Sequence, residues 1–399
     1  MIRQRASVGL WTGWGCPQAR VPLSDAPFHP APIQGSVRGM TAATTSLNSP
    51  GQIAANLPGI LGFYPHDSLV FVTFSETGSP DKMELGPVLR IDLDDLVMLP
   101  ELAQAVEDMG QDVVFGFLVT TRPDAEINEV IDTLVAMTRA GILRLDLAWV
   151  TREILTGEPV RIGFGPPSAL AELDASWTHD VIAPVSSARA MEPLLEQGEL
   201  PDLNRAEAQE HFRRANPHFD EAECAYLTRF ALERAHELSP TVYPALAADA
   251  RLLIGEARDV PLDDLLADEE VLLTVATLLG TLELRDLLIE DVLQEPGTGA
   301  QLMLAVARTF TGFIRHNALA VYALCMVELR LTMRSTHALL AVLEEDRSHS
   351  LSQLLLVPAQ AGEFEFMVRS VREGSRIVRA NHGVEPSVVS TRPGHRDGW

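Results

Sequence analysis

Lysine is almost absent from this sequence, in which Lys82 is the only one among 31 lysine and arginine residues. A P-loop that binds nucleoside triphosphates needs a lysine between a glycine and a serine or threonine. Lys82 lies between Asp81 and Met83, so P-loop chemistry is excluded. A Schiff-base mechanism would depend on this single side chain, which lies in a predicted loop.

Cysteine is also scarce, with three widely separated residues, Cys16, Cys224 and Cys325. They form no Cys-x-x-Cys metal-binding pair, and their odd number argues against a disulfide framework. No apolar run is as long as a membrane span, and residues 1–39 lack the apolar core of a signal peptide. We therefore expect a cytoplasmic protein that needs no metal, no cofactor and no membrane.

Positive charge is in deficit, since the formal net charge is −24 at pH 7. Residues 1–39 carry four arginines and one aspartate, or +3, so the rest of the chain carries −24 − 3 = −27. So acidic a surface repels nucleic acids and anionic membranes. The partners left open are another protein and a small anionic ligand.

The strongest structural pattern lies in residues 49–74. Ser49 and Pro50 suit the N-cap and the first position of a helix, and Pro58 is expected to break or kink that helix. A turn precedes residues 69–74, an apolar run with almost no polar alternation. Such a run is typical of a strand covered on both faces, so it predicts the central strand of a sheet.

Further strand patterns complete the predicted sheet, and they occupy residues 88–93, 113–120, 143–150 and 160–164. A helix predicted over residues 124–140 separates two of them. A strand, a helix and a strand of these lengths form a right-handed unit with parallel strands. We therefore expect an α/β domain over residues 46–183 with a mostly parallel sheet of four or five strands.

Helical periods replace the strand patterns beyond this domain, and they predict an all-α domain over residues 184–378. The predicted helices are 203–215, 219–237, 243–257, 268–293, 299–315, 317–330, 335–346 and 350–358. In the second of them, Ala222, Tyr226, Phe230 and Ala231 or Leu232 have the spacing of a core face. The last three, joined by short connections, indicate helix hairpins of the tetratricopeptide type.

Both ends of the chain are rich in proline, glycine, serine and arginine, so residues 1–45 and 379–399 are predicted to be disordered. Met40 is a plausible natural start. The alternative for residues 1–39 is a basic arm that docks on the acidic body.

Several of these features together match a known family. They are the helix start at Ser49-Pro50, the motif Gly62-Phe63-x-Pro65-x-Asp67-Ser68-Leu69-Val70, the strand–helix–strand unit and the helical C-terminal half. The sequence thereby resembles the actinobacterial domain of unknown function 4192 family over roughly residues 46–360. The resemblance implies this order of elements. Its name carries no activity, so it leaves the function open.

A first candidate site lies at the end of strand 113–120. Ligands of parallel α/β sheets bind at the carboxyl ends of strands. Here Thr120, Thr121 and Arg122 follow the strand, and Asp124 begins the next helix. Arg122 and the helix N-terminus could hold a phosphate or a carboxylate. Alternatively, Thr121 or Asp124 caps the helix while Arg122 is solvated.

A second candidate is the polar cluster of Tyr64, His66, Asp67 and Ser68. A Ser-His-Asp triad needs side chains that converge from separate elements, so these neighbours do not make one. We expect Asp67 and Ser68 to bond to the backbone of the turn. The turn precedes its strand, which predicts a position opposite the ligand crevice. The alternative is that the turn is itself a functional site.

No motif of an established enzyme class appears, since G-x-S-x-G, H-E-x-x-H and a dinucleotide-binding loop are all lacking. We therefore expect a non-enzymatic protein that binds a protein partner or regulates it through the helical domain. The rival hypothesis is an enzyme, or a binder of a small anion or nucleotide, at the crevice around Arg122. A deep pocket lined by Arg122 would favour the rival hypothesis.

Overall fold

Two compact units make up the chain, divided between Arg205 and Ala206. The computed structural model describes residues 33–34, 46–47, 49–76, 83–108 and 110–384. Within these ranges no helix is long and apolar enough to span a bilayer. The segments predicted to be disordered lie mostly outside the described ranges.

Parts of those segments are nevertheless described. Near the N-terminus, β1 (Ile33–Gln34) pairs with β2 (Ser46–Leu47) in an antiparallel arrangement. Near the C-terminus, the last helix continues to Asn381.

The first unit contains a six-stranded sheet with helices on both sides. Its strands are β3 (Ser68–Glu76), β4 (Met83–Asp92), β5 (Val113–Val119), β6 (Leu147–Thr151), β7 (Pro159–Phe164) and β8 (His179–Val181). Its helices are α1 (Pro50–Leu61), α2 (Leu99–Asp108), α3 (Asp124–Arg139), α4 (Pro167–Glu172), α5 (Ala175–Thr178) and α6 (Glu192–Glu196).

The prediction of a mostly parallel sheet is wrong. The strand order is β4-β3-β5-β6-β7-β8, and only the pair β5–β6 is parallel. This pair belongs to the predicted strand–helix–strand unit β5-α3-β6, which is present. The neighbours of β3 are antiparallel to it because β4 follows in a hairpin and β5 pairs with β3 instead of β4. The pairs β6–β7 and β7–β8 are antiparallel as well. The strand predicted over residues 143–150 also starts later, since β6 begins at Leu147, although the Asp146 N–H already donates a hydrogen bond of 2.9 Å to the Val114 carbonyl.

Strand β3 is buried on both faces, as its apolar run predicts. Every residue from Ser68 to Phe74 is fully inaccessible to solvent. Leu69 and Phe71 belong to an aliphatic core that β3 shares with α2 and α3. Val70 and Val72 point to the opposite face, because side chains alternate along a strand.

The opposite face of the sheet holds a cluster of aromatic rings. The rings of Phe74 and Phe115 lie 5.4 Å apart, and those of Phe115 and Trp149 lie 5.1 Å apart. Trp177 of α5 extends the cluster, and its carbonyl accepts a hydrogen bond of 2.7 Å from the indole nitrogen of Trp149. The indole N–H is therefore satisfied inside an apolar layer.

Helix α1 follows its predicted caps but is not interrupted at Pro58. Ser49 accepts a hydrogen bond from the Gln52 N–H, and Gly62 ends the helix with a φ of 79°, which favours glycine. The helix continues through Pro58, near its C-terminal end. The amide of Asn56 accepts a hydrogen bond of 3.0 Å from the Ala190 N–H and so ties α1 to the segment before α6.

The second unit is entirely helical in the residues described. Its helices are α7 (Arg205–Glu210), α8 (Glu221–Glu237), α9 (Tyr243–Glu256), α10 (Leu262–Ala267), α11 (Glu269–Leu278), α12 (Leu282–Val292), α13 (Pro296–Thr309), α14 (Gly312–Glu328), α15 (Thr332–Glu345), α16 (Ser350–Gln360) and α17 (Phe364–Asn381). Helix α7 begins with the last residue of the first unit.

The helix boundaries differ from the predicted ones at several places. The helix predicted over residues 268–293 is divided into α11 and α12 at Gly280, where a Cβ atom would lie 2.5 Å from the Cβ of Ala235. The next boundary falls between Thr309 and Gly312 instead of near residue 316. Helix α17 has no counterpart among the predicted helices, although most of it lies within the helical domain predicted over residues 184–378.

Removing the ring of Phe71 tests the burial of β3. We expect Phe71→Ala to lower the free energy of unfolding by about 3–5 kcal/mol, since it removes buried surface and leaves a cavity. Val97→Ala is the matched control, because Val97 is 80% exposed and should change little. Urea denaturation of both variants gives the measurement. A loss below about 1 kcal/mol for Phe71→Ala would contradict a two-sided core.

Candidate functional site

The two predicted sites lie at the same edge of the sheet. Ser68 at the start of β3 is opposite Val119 at the end of β5, because these strands are antiparallel. The turn before β3 therefore lies beside Thr120 and Arg122. The expectation that this turn lies opposite the ligand crevice is wrong, since it assumed that the two strands are parallel.

Asp67 joins the turn to the end of β5. Its carboxylate accepts a hydrogen bond of 2.6 Å from the hydroxyl of Thr120, which is buried, and lies 3.5 Å from Nε of Arg122. Its carbonyl accepts a hydrogen bond of 2.9 Å from the Leu93 N–H. The backbone φ of Asp67 is 41°, in the left-handed region that aspartate tolerates better than most residues. The carboxylate thus bonds to the side chains of Thr120 and Arg122. The prediction that it bonds to the backbone of the turn is wrong.

Ser68 makes the predicted bond to the turn. Its hydroxyl donates to the His66 carbonyl over 2.5 Å and accepts a hydrogen bond of 2.9 Å from Nε of Arg90. The guanidinium of Arg90 lies 5.4 Å from the centre of the Phe63 ring and pairs with Asp92. These contacts fix the backbone at the entry to β3, which is a structural role.

Tyr64 and His66 do not join these side chains in a catalytic arrangement. The N–H of Tyr64 donates to the Asp202 carbonyl, which ties the turn to the end of the first unit. His66 is exposed, and its carbonyl accepts the hydrogen bond from Ser68. The side chains of the turn therefore form no Ser-His-Asp triad, in agreement with the sequence analysis.

Arg122 is surrounded by carboxylates. Its guanidinium lies 2.6 Å from Asp94, 3.5 Å from Asp67 and 3.8 Å from Glu126. The hydrogen bond to Asp94 and the charge of Asp67 raise the pKa of Arg122. An incoming anion would have to displace these carboxylates, so the arrangement does not favour a phosphate or a nucleotide.

Thr121 and Asp124, the other residues of the predicted strand-end site, are not among the groups that contact the guanidinium of Arg122. Thr121 is exposed. Asp124 begins α3 and lies 3.6 Å from Arg161. Pro123 occupies the N-cap position, where it makes no side-chain bond, so the expected cap by Thr121 or Asp124 is absent.

A half-open cavity of about 260 Å³ lies beside Arg122. It is lined by Leu93, Leu96, Thr120, Arg122, Glu126, Ile127, Glu129, Val130 and Thr133. Its volume is below the roughly 300–1,000 Å³ of typical small-molecule sites. Its charged lining has two glutamates against one arginine, so it is not suited to anions. Among the described residues no group of three His, Cys, Asp or Glu could hold a metal ion.

The helical unit contains a buried polar cluster that the sequence analysis missed. Nε2 of His349 lies 3.1 Å from Oδ1 of Asn317, which also accepts a hydrogen bond of 3.0 Å from Arg285. Nδ1 of His349 lies 2.8 Å from the hydroxyl of Ser352 and accepts from the Ser352 N–H, so His349 caps α16. Ser352 is fully buried. No substrate can reach this Ser–His pair, so the cluster is structural.

A third feature is the outer face of α8, where most of the predicted core face lies. Ala222, Tyr226 and Phe230 are exposed, so these predictions are wrong, whereas Ala231 is buried as predicted. The buried positions are Cys224, Leu227, Thr228, Ala231 and Ala235. The small residues among them allow close packing against α11, and this leaves the larger aromatic rings outside.

The two exposed rings of α8 form an ordered pair. Tyr226 is 55% exposed and Phe230 is 39% exposed. Their centroids lie 6.1 Å apart with an angle of 21° between the planes. The guanidinium of Arg229 lies 5.8 Å from the centre of the Tyr226 ring. We call Tyr226, Arg229 and Phe230 the α8 patch.

The bond between Asp67 and Thr120 can be tested with a double-mutant cycle. We expect Asp67→Ala to cost about 1–3 kcal/mol, because it leaves the buried Thr120 hydroxyl without its acceptor. Thr120→Val should recover part of this loss, with a coupling of about 0.5–3 kcal/mol. Asp124→Ala is the exposed control, measured with the others by urea denaturation. Strictly additive effects of the first two substitutions would contradict the proposed bond.

The burial of His349 leads us to expect that acid lowers the stability of the helical unit. Burial, with the charges of His316 and Arg285, lowers the pKa of His349 from 6.5 to about 4. Below pH 6.5 the unfolded chain binds a proton that folded His349 does not bind, so stability present above pH 6.5 is lost as the pH falls. Each pKa unit of difference corresponds to about 1.4 kcal/mol.

We expect His349→Asn to flatten the pH dependence of stability between pH 6.5 and 4, since asparagine can cap a helix but does not titrate. The control is His179→Asn, at an exposed position. Urea denaturation followed by circular dichroism gives the stability at each pH. An unchanged slope for His349→Asn would show that other groups cause the acid sensitivity.

Most of the chain matches a known protein family. The model of the family described as a domain of unknown function (DUF4192) matches residues 50–363. The match includes the residues around Asp67 and Arg122, the cavity, the polar cluster and the α8 patch, and it ends one residue before α17. No curated protein and no solved structure matches the chain. Because the family model covers more than half of the sequence, the chain belongs to the DUF4192 family.

Proposed function

We propose that this protein is a non-enzymatic binding or regulatory protein whose helical unit contacts a protein partner through the α8 patch. The observation that carries the proposal is the exposed stack of Tyr226 and Phe230. Two large rings on the outer face of a helix remain in water although the opposite face already packs the core. Burying such rings against a partner is favourable by about 25 cal/mol for each Å² of apolar area.

The chemistry of the α8 patch supports a protein as the partner. Tyrosine and arginine are among the residues that contribute most to binding energy at protein interfaces. The i, i+4 spacing of the rings and the nearby guanidinium of Arg229 give the patch ring–ring and cation–π contacts of its own. Contacts that pre-order side chains reduce the conformational entropy lost on binding. The patch would supply the centre of an interface, with the charged side chains around it as the rim.

The rival hypothesis, a small-anion or nucleotide site around Arg122, has less support. Asp94, Asp67 and Glu126 already balance the charge of Arg122. The adjacent cavity is small and has more acidic than basic side chains. These features favour a stabilising role for Arg122, in which it holds the start of α3 near the turn before β3.

The α8 patch can be tested by affinity capture from the native host. The full-length wild type and the double variant Tyr226→Ser/Phe230→Ser serve as baits. A third bait, Leu252→Ser/Leu282→Ser, removes two other exposed apolar side chains of the helical unit and is the matched control. We expect at least one protein to be retained by the wild type and the control but lost, by tenfold or more, with the patch variant.

A photo-crosslinking residue placed at Ala225, which is exposed beside the patch, should then form a covalent product with the same protein. The same residue placed at Leu252 should not form it. Identical captured proteins for all three baits, with no crosslink at Ala225, would contradict the proposal.

A further inference from the structure

Helix α17 packs on the helical unit in a different way from the helices before it. In α14, 13 consecutive residues from Ile314 to Met326 are buried. In α17, which is one residue longer, the buried residues are Met367, Val368, Ser375 and Arg379. Helix α17 therefore buries a narrower face than α14 does. This face combines the apolar residues Met367 and Val368 and the half-buried Phe364, Val371 and Val378 with Ser375 and Arg379.

Arginines add ion pairs to this apolar face, and they contact carboxylates of α12 and α14. Arg379 donates a hydrogen bond of 2.7 Å to Asp291, and both side chains are almost completely buried. Arg372 lies 2.8 Å from Glu328 and 3.4 Å from Glu290.

The remaining polar contacts of α17 reach the same surface. Arg376 lies 3.5 Å from Glu290. Ser375 donates a hydrogen bond of 2.6 Å to the Asp286 carbonyl, and Arg379 donates one of 2.7 Å to the Leu287 carbonyl. We call the surface formed by Asp286, Leu287, Glu290, Asp291 and Glu328 the α12 surface.

The α12 surface resembles an interface between separate molecules more than a core. Buried ion pairs gain little net stability, because removing the charges from water offsets their attraction, but they determine which partner fits and in which register. One oxygen of Glu290, Oε2, is buried and has no hydrogen-bond partner among the described residues. Helix α17 therefore leaves one acceptor of this surface unsatisfied.

Two further features are consistent with α17 as a separable element. It follows the end of the family match at residue 363. The link between α16 and α17 consists of Ala361, Gly362 and Glu363, and the φ of 73° at Gly362 suits a change of direction. The outward side of α17 carries Phe366 and Ile377, which are 55% and 54% exposed.

We infer that the α12 surface is a binding site for an arginine-bearing amphipathic helix, and that α17 is its resident occupant. The ligand that fits this surface is a helix with three arginines at positions i, i+4 and i+7, as Arg372, Arg376 and Arg379 are in α17. A protein partner that carries such a helix competes with α17 for the surface. This inference does not depend on the α8 patch, which lies on another helix.

A labelled peptide of residues 364–384 tests the inference on the full-length protein. In the wild type, α17 occupies the surface, so the peptide should bind weakly. In Arg372→Ala/Arg379→Ala, whose own α17 is weakened, the peptide should bind at least tenfold more tightly, as measured by fluorescence anisotropy. Arg369→Ala changes an exposed arginine of the same helix and should behave like the wild type.

Two controls test whether the binding is specific. A peptide with glutamine at the three arginine positions should not bind the double variant. Tyr226→Ser/Phe230→Ser should not alter peptide binding, so a failure of the α8 proposal remains distinguishable from a failure of this one.

Hydrogen exchange on the wild type provides an independent measurement that needs no variant. We expect amides of α17 to exchange at least 100-fold faster than those of α14. Equal exchange rates, equal binding of both peptides, or no binding to a folded double variant would overturn the inference. If the double variant does not fold, the exchange rates alone decide.

Discussion

The burial of β3 on both faces is the constraint on which the first unit depends. A strand without a polar side needs a layer on each face, here an aliphatic layer from α2 and α3 and an aromatic layer that includes Trp149 and Trp177. It also needs a hydrogen-bonded neighbour on each edge, which β4 and β5 provide. Because β5 is antiparallel to β3, this same constraint places Asp67 next to Thr120.

Much of the fold could be predicted from local patterns, but strand direction could not. The apolar run of β3, the unit β5-α3-β6 and most helices of the second unit have periods that the sequence displays directly. Which strand pairs with which depends on contacts between residues far apart in the chain. Residues 113–119 could have paired with β4, which precedes them, yet they pair with β3. No period within either segment distinguishes these arrangements.

The lack of a local signal for contacts between distant residues also limits the prediction of the sites. Asp67 and Arg122 were each singled out from local sequence, but only the topology shows that they contact each other. The spacing of apolar residues along α8 predicts a core face that includes both Tyr226 and Ala231, because spacing does not distinguish large side chains from small ones. Small side chains, such as Ala231, pack α8 more closely and leave Tyr226 outside. The contact between Asn317 and His349 has no local signal at all.

The burial of Cys224 on α8 and Cys325 on α14 has a consequence for following motions of the helical unit. Both thiols are inaccessible, and burial raises the pKa of each above its ordinary value. A thiol reagent in solution reacts with the thiolate, so it modifies either residue only when the surrounding helices open. The two rates of alkylation would therefore report local opening at two positions, without an introduced label.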